Sequence, residues 1–363
     1  MTAISATGRV SASFAYVGSY TTRERSGRGD GISVYRIDPE TGGWSPVQIV
    51  RDLVNPSFLT LDHRRRHLYA AHGDDEYATA LAIDAQTGQL KVLSQQATGG
   101  NNGVSLAIDP TDRVLVVVNY ASGTVAVLPI SPNGSLAPVT DLVALTGNPG
   151  PHRIQQTGSH PHDVRFAPHG RFLVVPDKGL DKIFVFALDT TGDKLVAADP
   201  ASVSARPGSA PRHVAFHPTL PVVWVINELD STITTYRLDP ERGGLEARQI
   251  MPTLPPSFTG NNTTSEVAVA PSGRFVYGSN RGHDTIATFA VDAVTGTLTP
   301  IAWDSSQGKT PRFFALDPSG AFLYAANQGS DTIVCFRIDP TTGKLSPTGQ
   351  IVNTGSPSSI VFA

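Results

Sequence analysis

Apolar and polar residues alternate along this chain in short runs that break at clusters of Gly, Pro, Asp and Asn. No long window carries the 3.6-residue period of an amphipathic helix, so the pattern predicts strands and tight turns. Four kinds of run recur in a fixed order: a short alternating segment such as "RHVAFHP" at Arg212, an apolar segment such as "RFVYGSN" at Arg274, then "DTIATFAVD" at Asp284 and "TLTPIAWD" at Thr297. A Pro-Ser-Gly type turn joins the first two, a Gly/Asp loop the next two, and a D-x-x-T-G turn the last two.

The order repeats along the whole sequence. "APSGRFVYGSNRGHDTIATFAVDAVTGTL" from Ala270 and "DPSGAFLYAANQGSDTIVCFRIDPTTGKL" from Asp317 align without a gap, 47 residues apart. Related copies start at Asp62, Asp109, Ala167 and His217, and an incomplete one opens with "FAYVGSY" at Phe14. Seven units of four strands follow from this count. The first unit lacks its first strand, and the chain ends in "PSSIVFA" (Pro357–Ala363), which matches a first strand with nothing after it. The C-terminal segment therefore completes the first unit and closes a ring, removing the exposed edges of an open array. The expected fold is all-β, a seven-bladed β-propeller with four-stranded antiparallel blades, forming one domain over residues 1–363 with residues 1–13 as a flexible tail.

Composition narrows the function. Of 363 residues, 40% are hydrophobic and 16% charged, enough for a core, and the 34 glycines and 28 prolines suit many turns. The formal net charge of −3 argues against nucleic acid as a partner. One cysteine, Cys335, lies in an apolar strand and excludes a disulfide framework or a Cys-rich metal site. With no run of about 18 apolar residues and no leader-like N-terminus, no membrane contact is expected and the protein is placed in the cytoplasm.

In a propeller the starts of the first strands and the ends of the second strands meet at one mouth of the central channel. The long links Thr146–Pro161 and Pro252–Thr264 point to that face. First-strand starts carry His160, His162, Arg212, His213, Glu266 and Arg312; second-strand ends carry Tyr20, His72, Asp74, Asn119, Tyr120, Asp177, Lys178, Asn227, Glu228, Asn280, Arg281 and Asn327. Convergent polar groups at one mouth are the constellation of a small-molecule site. Asn119, Asn280 and Asn327 repeat from blade to blade and fit loop-forming roles, as does Asp177 in the same slot. His169 and His217, at the opposite end, fit surface turns. The pair His160 and His162 lacks a third ligand, so no metal is expected. Residues that differ from their counterparts in other blades carry more information, above all His162, Arg212, Glu228 and Arg281. Arg212 and Glu228, sixteen residues apart, are the two ends of one hairpin and return to the same rim.

The motifs "GSYT" at Gly18, "NYASGTV" at Asn119, "HPHDVRFAP" at His160, "PRHVAFHP" at Pro211, "NELDSTI" at Asn227, "SNRGHDTI" at Ser279 and "PRFFALDPSG" at Pro311 resemble the lactonase family of seven-bladed propellers. That family includes the propeller-type 6-phosphogluconolactonases and the fungal carboxy-cis,cis-muconate cyclase. The resemblance implies a catalytic set falling on His162, Arg212, Glu228 and Arg281, and an anionic lactone as the small-molecule substrate. Tyr20, Asn119, His160, Asp177, His213 and Arg312, at the same mouth, are the expected substrate-binding residues. No G-x-S-x-G nucleophile motif is present, so direct attack by water is expected, without metal or cofactor, in a monomer or weak homodimer. Arginines suit recognition of a carboxylate or phosphate, or of a developing oxyanion, and Glu228 or His162 would take the proton from water. A related cyclase or another lactonase shares the scaffold. A non-catalytic protein-binding propeller is the alternative from another class, disfavoured by the missing Trp-Asp repeat signature. The insert "TTRERSGRGDG" (Thr21–Gly31) in the first blade has no assigned role.

Overall fold

A computed structural model describes residues 13–168, 170–189 and 193–363. Seven four-stranded antiparallel sheets surround a central channel. Blade 1 takes its inner strand, Pro357–Phe362, from the far end of the chain; it pairs with Phe14–Ser19, with Ala15 opposite Phe362 and Val17 opposite Ile360. Blades 2 to 7 begin with the inner strands Pro56–Leu61, Gly103–Ile108, Arg165–Phe166, Pro211–Phe216, Thr263–Val269 and Pro311–Leu316. The expected tail falls on residues outside those described, except Ser13, whose N–H donates to the Ala363 carbonyl at 2.8 Å. His169 also lies outside them. Among the described residues the helical content is the three-residue 3-10 turn Arg23–Arg25, within the first-blade insert. No helix there is long and apolar enough to cross a membrane.

Each second strand is apolar because both faces pack against neighbouring blades: Val114–Asn119, Phe172–Asp177, Val222–Asn227 and Phe322–Asn327 are buried throughout. A polar clasp recurs at these joints. Tyr16, Tyr69, Trp224, Tyr277 and Tyr324 are buried, and the hydroxyl or indole N–H of each donates to a glycine carbonyl in the next blade's outer turn: Gly88, Gly134, Gly296, Gly343 and Gly42, at 2.9 to 3.1 Å. All five glycines have positive φ, the conformation that aims the carbonyl. The last clasp, Tyr324 to Gly42, spans the seam between blades 7 and 1. Blades 3 and 4 carry Val116 and Val174 in the aromatic slot, so their joints rest on apolar packing.

The feature that positions the site is a β-bulge at the start of the inner strands. Pro211 faces Asn227 while His213 faces Ile226, so Arg212 is an extra residue. The same slip leaves Ser57, Val104, Arg312 and Ser358 unpaired in blades 2, 3, 7 and 1, and Ser265 with Glu266 in blade 6. Blade 4 reaches the slot differently: Pro161 bridges Asp177, and the His162 N–H donates to the Pro176 carbonyl at 3.0 Å. A bulge re-aims its side chain out of the ladder, here toward the channel mouth.

His217, read as a surface turn residue, is buried. Its Nδ1 accepts the N–H groups of Thr219 and Leu220 at 3.0 and 2.8 Å and holds the turn. Cys335 is buried in the core. If the closing strand carries the ring, truncation after Ser356 should leave blade 1 with an open, apolar inner edge. The expected result is a loss of more than about 10 °C in Tm, or aggregation, by calorimetry and size-exclusion chromatography, since several kcal/mol of burial go with it.

Candidate functional site

At the channel mouth lies a cavity of about 180 Å³ lined by Tyr20, Arg25, Asn102, Val104, Tyr120, Gln155, His162, Lys178, Glu228, Arg281 and Arg312. Grooves of 440 to 510 Å³ on the outer flank are larger, but they are built largely from turns and outer strands, with exposed residues such as Val294 and Arg248. The mouth cavity gathers ionisable groups from six blades, Tyr20, Tyr120, His162, Glu228, Arg281 and Arg312 among them.

Glu228 organises it. Its Oε1 accepts the Lys178 ammonium at 2.7 Å, and its Oε2 lies 3.0 Å from Arg212 Nε and 3.3 Å from Arg281 Nη2. Burial pushes this carboxyl up, but Arg281, Lys178 and Arg212 together hold it well below the ordinary carboxylate range. The cations respond in kind: burial lowers Lys178, and burial with neighbouring Arg281 takes Arg212 down to about 9. The backbone fixes the arginines further, with Arg212 Nη1 donating to the Ser265 carbonyl at 2.6 Å and Arg281 Nη2 to the Thr264 carbonyl at 2.7 Å.

His162 is buried and packs edge-on against Tyr120 at 5.6 Å. Burial, then Arg212, Lys178 and Arg312, keep its imidazole neutral, well below the usual histidine value. Its Nδ1 is buried with no hydrogen-bond partner. Arg312 donates to the Tyr20 hydroxyl at 2.9 Å and lies 5.1 Å over the Tyr20 ring. Among the described residues it forms no ion pair. Arg25, carried in by the insert, lies over the other reach of Tyr20 and is held by a bidentate pair with Asp74. The insert thus has a role that sequence reading left open.

The predicted residues divide into three groups. His162, Glu228, Arg281, Tyr20 and Arg312 line the cavity. Arg212, 2% exposed, does not; it stands behind Glu228 and braces it, which corrects the expectation that it grips substrate. Asn119, Asp177, His160 and His213 do not line it either. The Asn119 amide ties the preceding link through Thr98 at 3.0 Å. The Asp177 carboxylate accepts the N–H groups of His160, Gly179 and Leu180 at 2.8 to 3.0 Å and so shapes its own loop. His160 stacks on Tyr120 at 4.6 Å and bonds the Tyr120 carbonyl at 3.0 Å, supporting that ring from outside. His213 sits one residue further along the inner strand than the cavity-facing slot, paired with Glu266 at 2.9 Å.

In the sequence pairs "NY", "DK", "NE" and "NR" the first residue therefore builds the loop and the second, Tyr120, Lys178, Glu228 or Arg281, faces the cavity. Lys178 was visible at the mouth but was not singled out. Its signal was that it differs in kind from Tyr20, Tyr120, Glu228, Arg281 and Gln328 in the same slot. Gln155 holds Lys178 Nζ at 2.9 Å, and buried Gln156 holds the Lys178 carbonyl at 2.9 Å, so the link Thr146–Pro161 clamps this lysine from above. The other long link does not reach the cavity.

Residues 14–362 match the family model described as "Lactonase, 7-bladed beta-propeller". The chain belongs to this family of seven-bladed propeller lactonases. It is 33% identical to the 6-phosphogluconolactonase of Bacillus subtilis over 82% of this chain and 83% of that one, and 31% identical to that of Formosa agariphila over 83% and 85%. In structure it resembles the periplasmic gluconolactonase of Pseudomonas aeruginosa, with a TM-score of 0.89 and 33% identity over 96% of this chain and 98% of that one.

Because Glu228 is the shared counter-charge of three buried cations, Glu228→Gln should cost about 3–5 kcal/mol in urea unfolding, the scale for leaving buried charge uncompensated. An exposed carboxylate such as Glu246 changed to Gln should shift stability by less than about 0.5 kcal/mol.

Proposed function

We propose that the protein hydrolyses a phosphorylated sugar lactone, 6-phosphogluconolactone being the substrate that its relatives' names suggest. The observation that carries this reading is the charge of the cavity wall: Arg25, Lys178, Arg281 and Arg312 against the single lining carboxylate Glu228. Arg25 is spent on Asp74, and Lys178 and Arg281 share Glu228, so Arg312 has its charge to offer. A substrate phosphate is placed on Arg312, with Tyr20 as its neighbouring donor and Arg25 at the rim. The walls are cationic, the opposite of a divalent-metal site, and among the described residues no group of three His, Cys, Asp or Glu is set to hold one.

His162 is the base in this reading. A carboxylate held as low as Glu228 is ionised but has little appetite for a proton, whereas a neutral imidazole can take one. His162 accepts a proton from water as the water oxygen bonds to the lactone carbonyl carbon. Lys178 and Arg281 face the oxyanion that develops. The tetrahedral intermediate then breaks its bond to the ring oxygen, which recovers the proton from the His162 imidazolium. Glu228 and Arg212 keep Lys178 and Arg281 in place.

The test is a lactonase assay with spontaneous hydrolysis subtracted. 6-Phosphogluconolactone should be preferred over glucono-δ-lactone by at least about tenfold in kcat/KM, and Arg312→Met should raise KM for the phosphorylated substrate about 10- to 100-fold while changing the other little. Equal rates on both lactones, or turnover of carboxymuconate in their stead, would overturn the phosphate assignment. The acid limb of kcat/KM should lie below the ordinary histidine value, because burial, and then Arg212, Lys178 and Arg312, disfavour the imidazolium. A bound anion cancels part of that repulsion, so the acid limb of kcat should sit at higher pH than that of kcat/KM.

A further inference from the structure

Within the link Thr146–Pro161, residues His152 to Gln156 form one turn that holds itself together. The Gln156 N–H donates to the His152 carbonyl at 2.9 Å, and Gln156 Oε1 accepts the His152 N–H at 3.0 Å. His152 Nδ1 accepts the N–H groups of Ile154 and Gln155 at 3.3 and 3.1 Å. The turn is also fastened to the loop that carries Lys178. The Gly150 N–H donates to the Gly179 carbonyl at 2.9 Å, and the buried Gln156 amide donates to the Lys178 carbonyl at 2.9 Å. A Cβ at Gly150 would collide with that Gln156 amide, so the turn is closed tightly. From this fixed backbone Ile154 stands in solvent, 81% exposed, while Gln155 enters the cavity wall.

The reaction above gives the Gln155 amide nitrogen no part. The sense of this amide is fixed by its neighbour. An ammonium only donates, so the atom 2.9 Å from Lys178 Nζ is Oε1, and Nε2 stands on the other side. Nε2 has no hydrogen-bond partner among the described residues, and it is not sealed away as His162 Nδ1 is. Its two N–H groups are open to the cavity that Gln155 lines. Lys178 is accounted for in the same way. Of its three N–H groups, one goes to Gln155 Oε1 and one to Glu228 Oε1 at 2.7 Å, which leaves one.

We propose that Gln155 is a specificity-determining residue that selects lactones bearing a hydroxyl on the carbon next to the carbonyl. The proposal rests on the reading that the lactone carbonyl oxygen meets Lys178. With that oxygen on the remaining Lys178 N–H, the hydroxyl on the adjacent carbon is the next oxygen of the substrate. The Gln155 amide nitrogen is the next donor of the wall, one bond angle from the oxygen that holds Lys178. The hydroxyl oxygen accepts from Nε2. A lactone without that hydroxyl leaves the Gln155 donors unpaired in a half-buried wall, which costs more than a made bond returns. The substrate class is the lactones of aldonic acids, which carry this hydroxyl, as opposed to simple cyclic esters. The cations of the wall select for charge; a neutral amide anchored by its oxygen is the group suited to reading a neutral hydroxyl.

The experiment compares 6-phosphogluconolactone with its 2-deoxy analogue in three proteins. These are the wild type, Gln155→Met, which keeps the length and removes the amide, and Gln155→Asn, which keeps the amide and shortens its reach. The wild-type kcat/KM should favour the hydroxylated lactone about 10- to 100-fold, the range for one donor left unpaired. In both variants the ratio should fall to within about threefold of unity. Loss of the Lys178 contact slows both substrates alike and cancels in the ratio, so a merely structural role for Gln155 leaves the selectivity where it was. The products supply a measurement that needs no turnover. In calorimetry 6-phosphogluconate should bind the wild type about tenfold more tightly than its 2-deoxy analogue, and the two should bind the variants equally. Hydrolysis of both lactones at equal rates by the wild type overturns the proposal and leaves the lactonase reading standing. A selectivity unchanged in both variants also overturns it. Hydrolysis of neither lactone overturns the lactonase reading, and equal or absent binding of the two products then overturns this proposal too.

Discussion

Seven inner strands must all start at one mouth of a closed ring, and nearly all begin with a bulged residue that cannot stay in its ladder. That constraint creates the site. A bulge removes one side chain per blade from the alternation of inward and outward positions and turns it to the axis. Where the slot holds serine, as at Ser57 and Ser358, the residue is absorbed into bonds between inner strands: Ser358 Oγ donates to the Ser57 carbonyl at 2.9 Å. Where it holds His162, Arg212 or Arg312, the same geometry delivers ionisable chemistry. Function is written into a position that every blade possesses and only some use.

The charge arrangement follows from this crowding. Slot residues and second-strand ends from adjacent blades meet in a volume with little water, so each cation needs an account of its charge. Glu228 supplies that account for three of them. The balance is incomplete by design of the residue set: Arg312 has an aromatic hydroxyl for a partner in place of a carboxylate. On the proposed reading, a wall with one unspent positive charge would receive an anion with little reorganisation, since the charges are placed during folding.

Much of this was legible in the sequence. The ring, its closure by "PSSIVFA" and the functional face follow from the repeat, because the period and turn chemistry are local and recur. Departures from the repeat pointed to His162, Glu228 and Arg281. What could not be read was depth. Arg212 and Arg312 occupy the same slot in near-identical "PRH" and "PRF" contexts, yet Arg212 is shut behind Glu228 and Arg312 opens to the cavity. Their difference lies in what blades 1 and 6 place opposite, Tyr20 for one and Ser265 for the other. Asn119 and Asp177 drew attention as polar groups at a mouth, but a side chain that ends a buried strand is as easily claimed by loop N–H groups as by a ligand. The length of the link Thr146–Pro161 pointed to the right face, but only the fold shows Gln155 and Gln156 closing over Lys178.

The seam between blades 7 and 1 has a consequence in time. Among the described strands Phe14–Ser19 is synthesised before the others, and its inner neighbour Pro357–Phe362 follows the six other blades. Tyr20 and Arg25 sit just past that first strand, so their wall of the cavity has no fixed place until the final strand emerges. The Tyr20 N–H donates to the Ser356 carbonyl at 3.2 Å, at the entry to the closing strand, so the aromatic that partners Arg312 takes its place with ring closure. Closure of the ring and completion of that wall are thus one event.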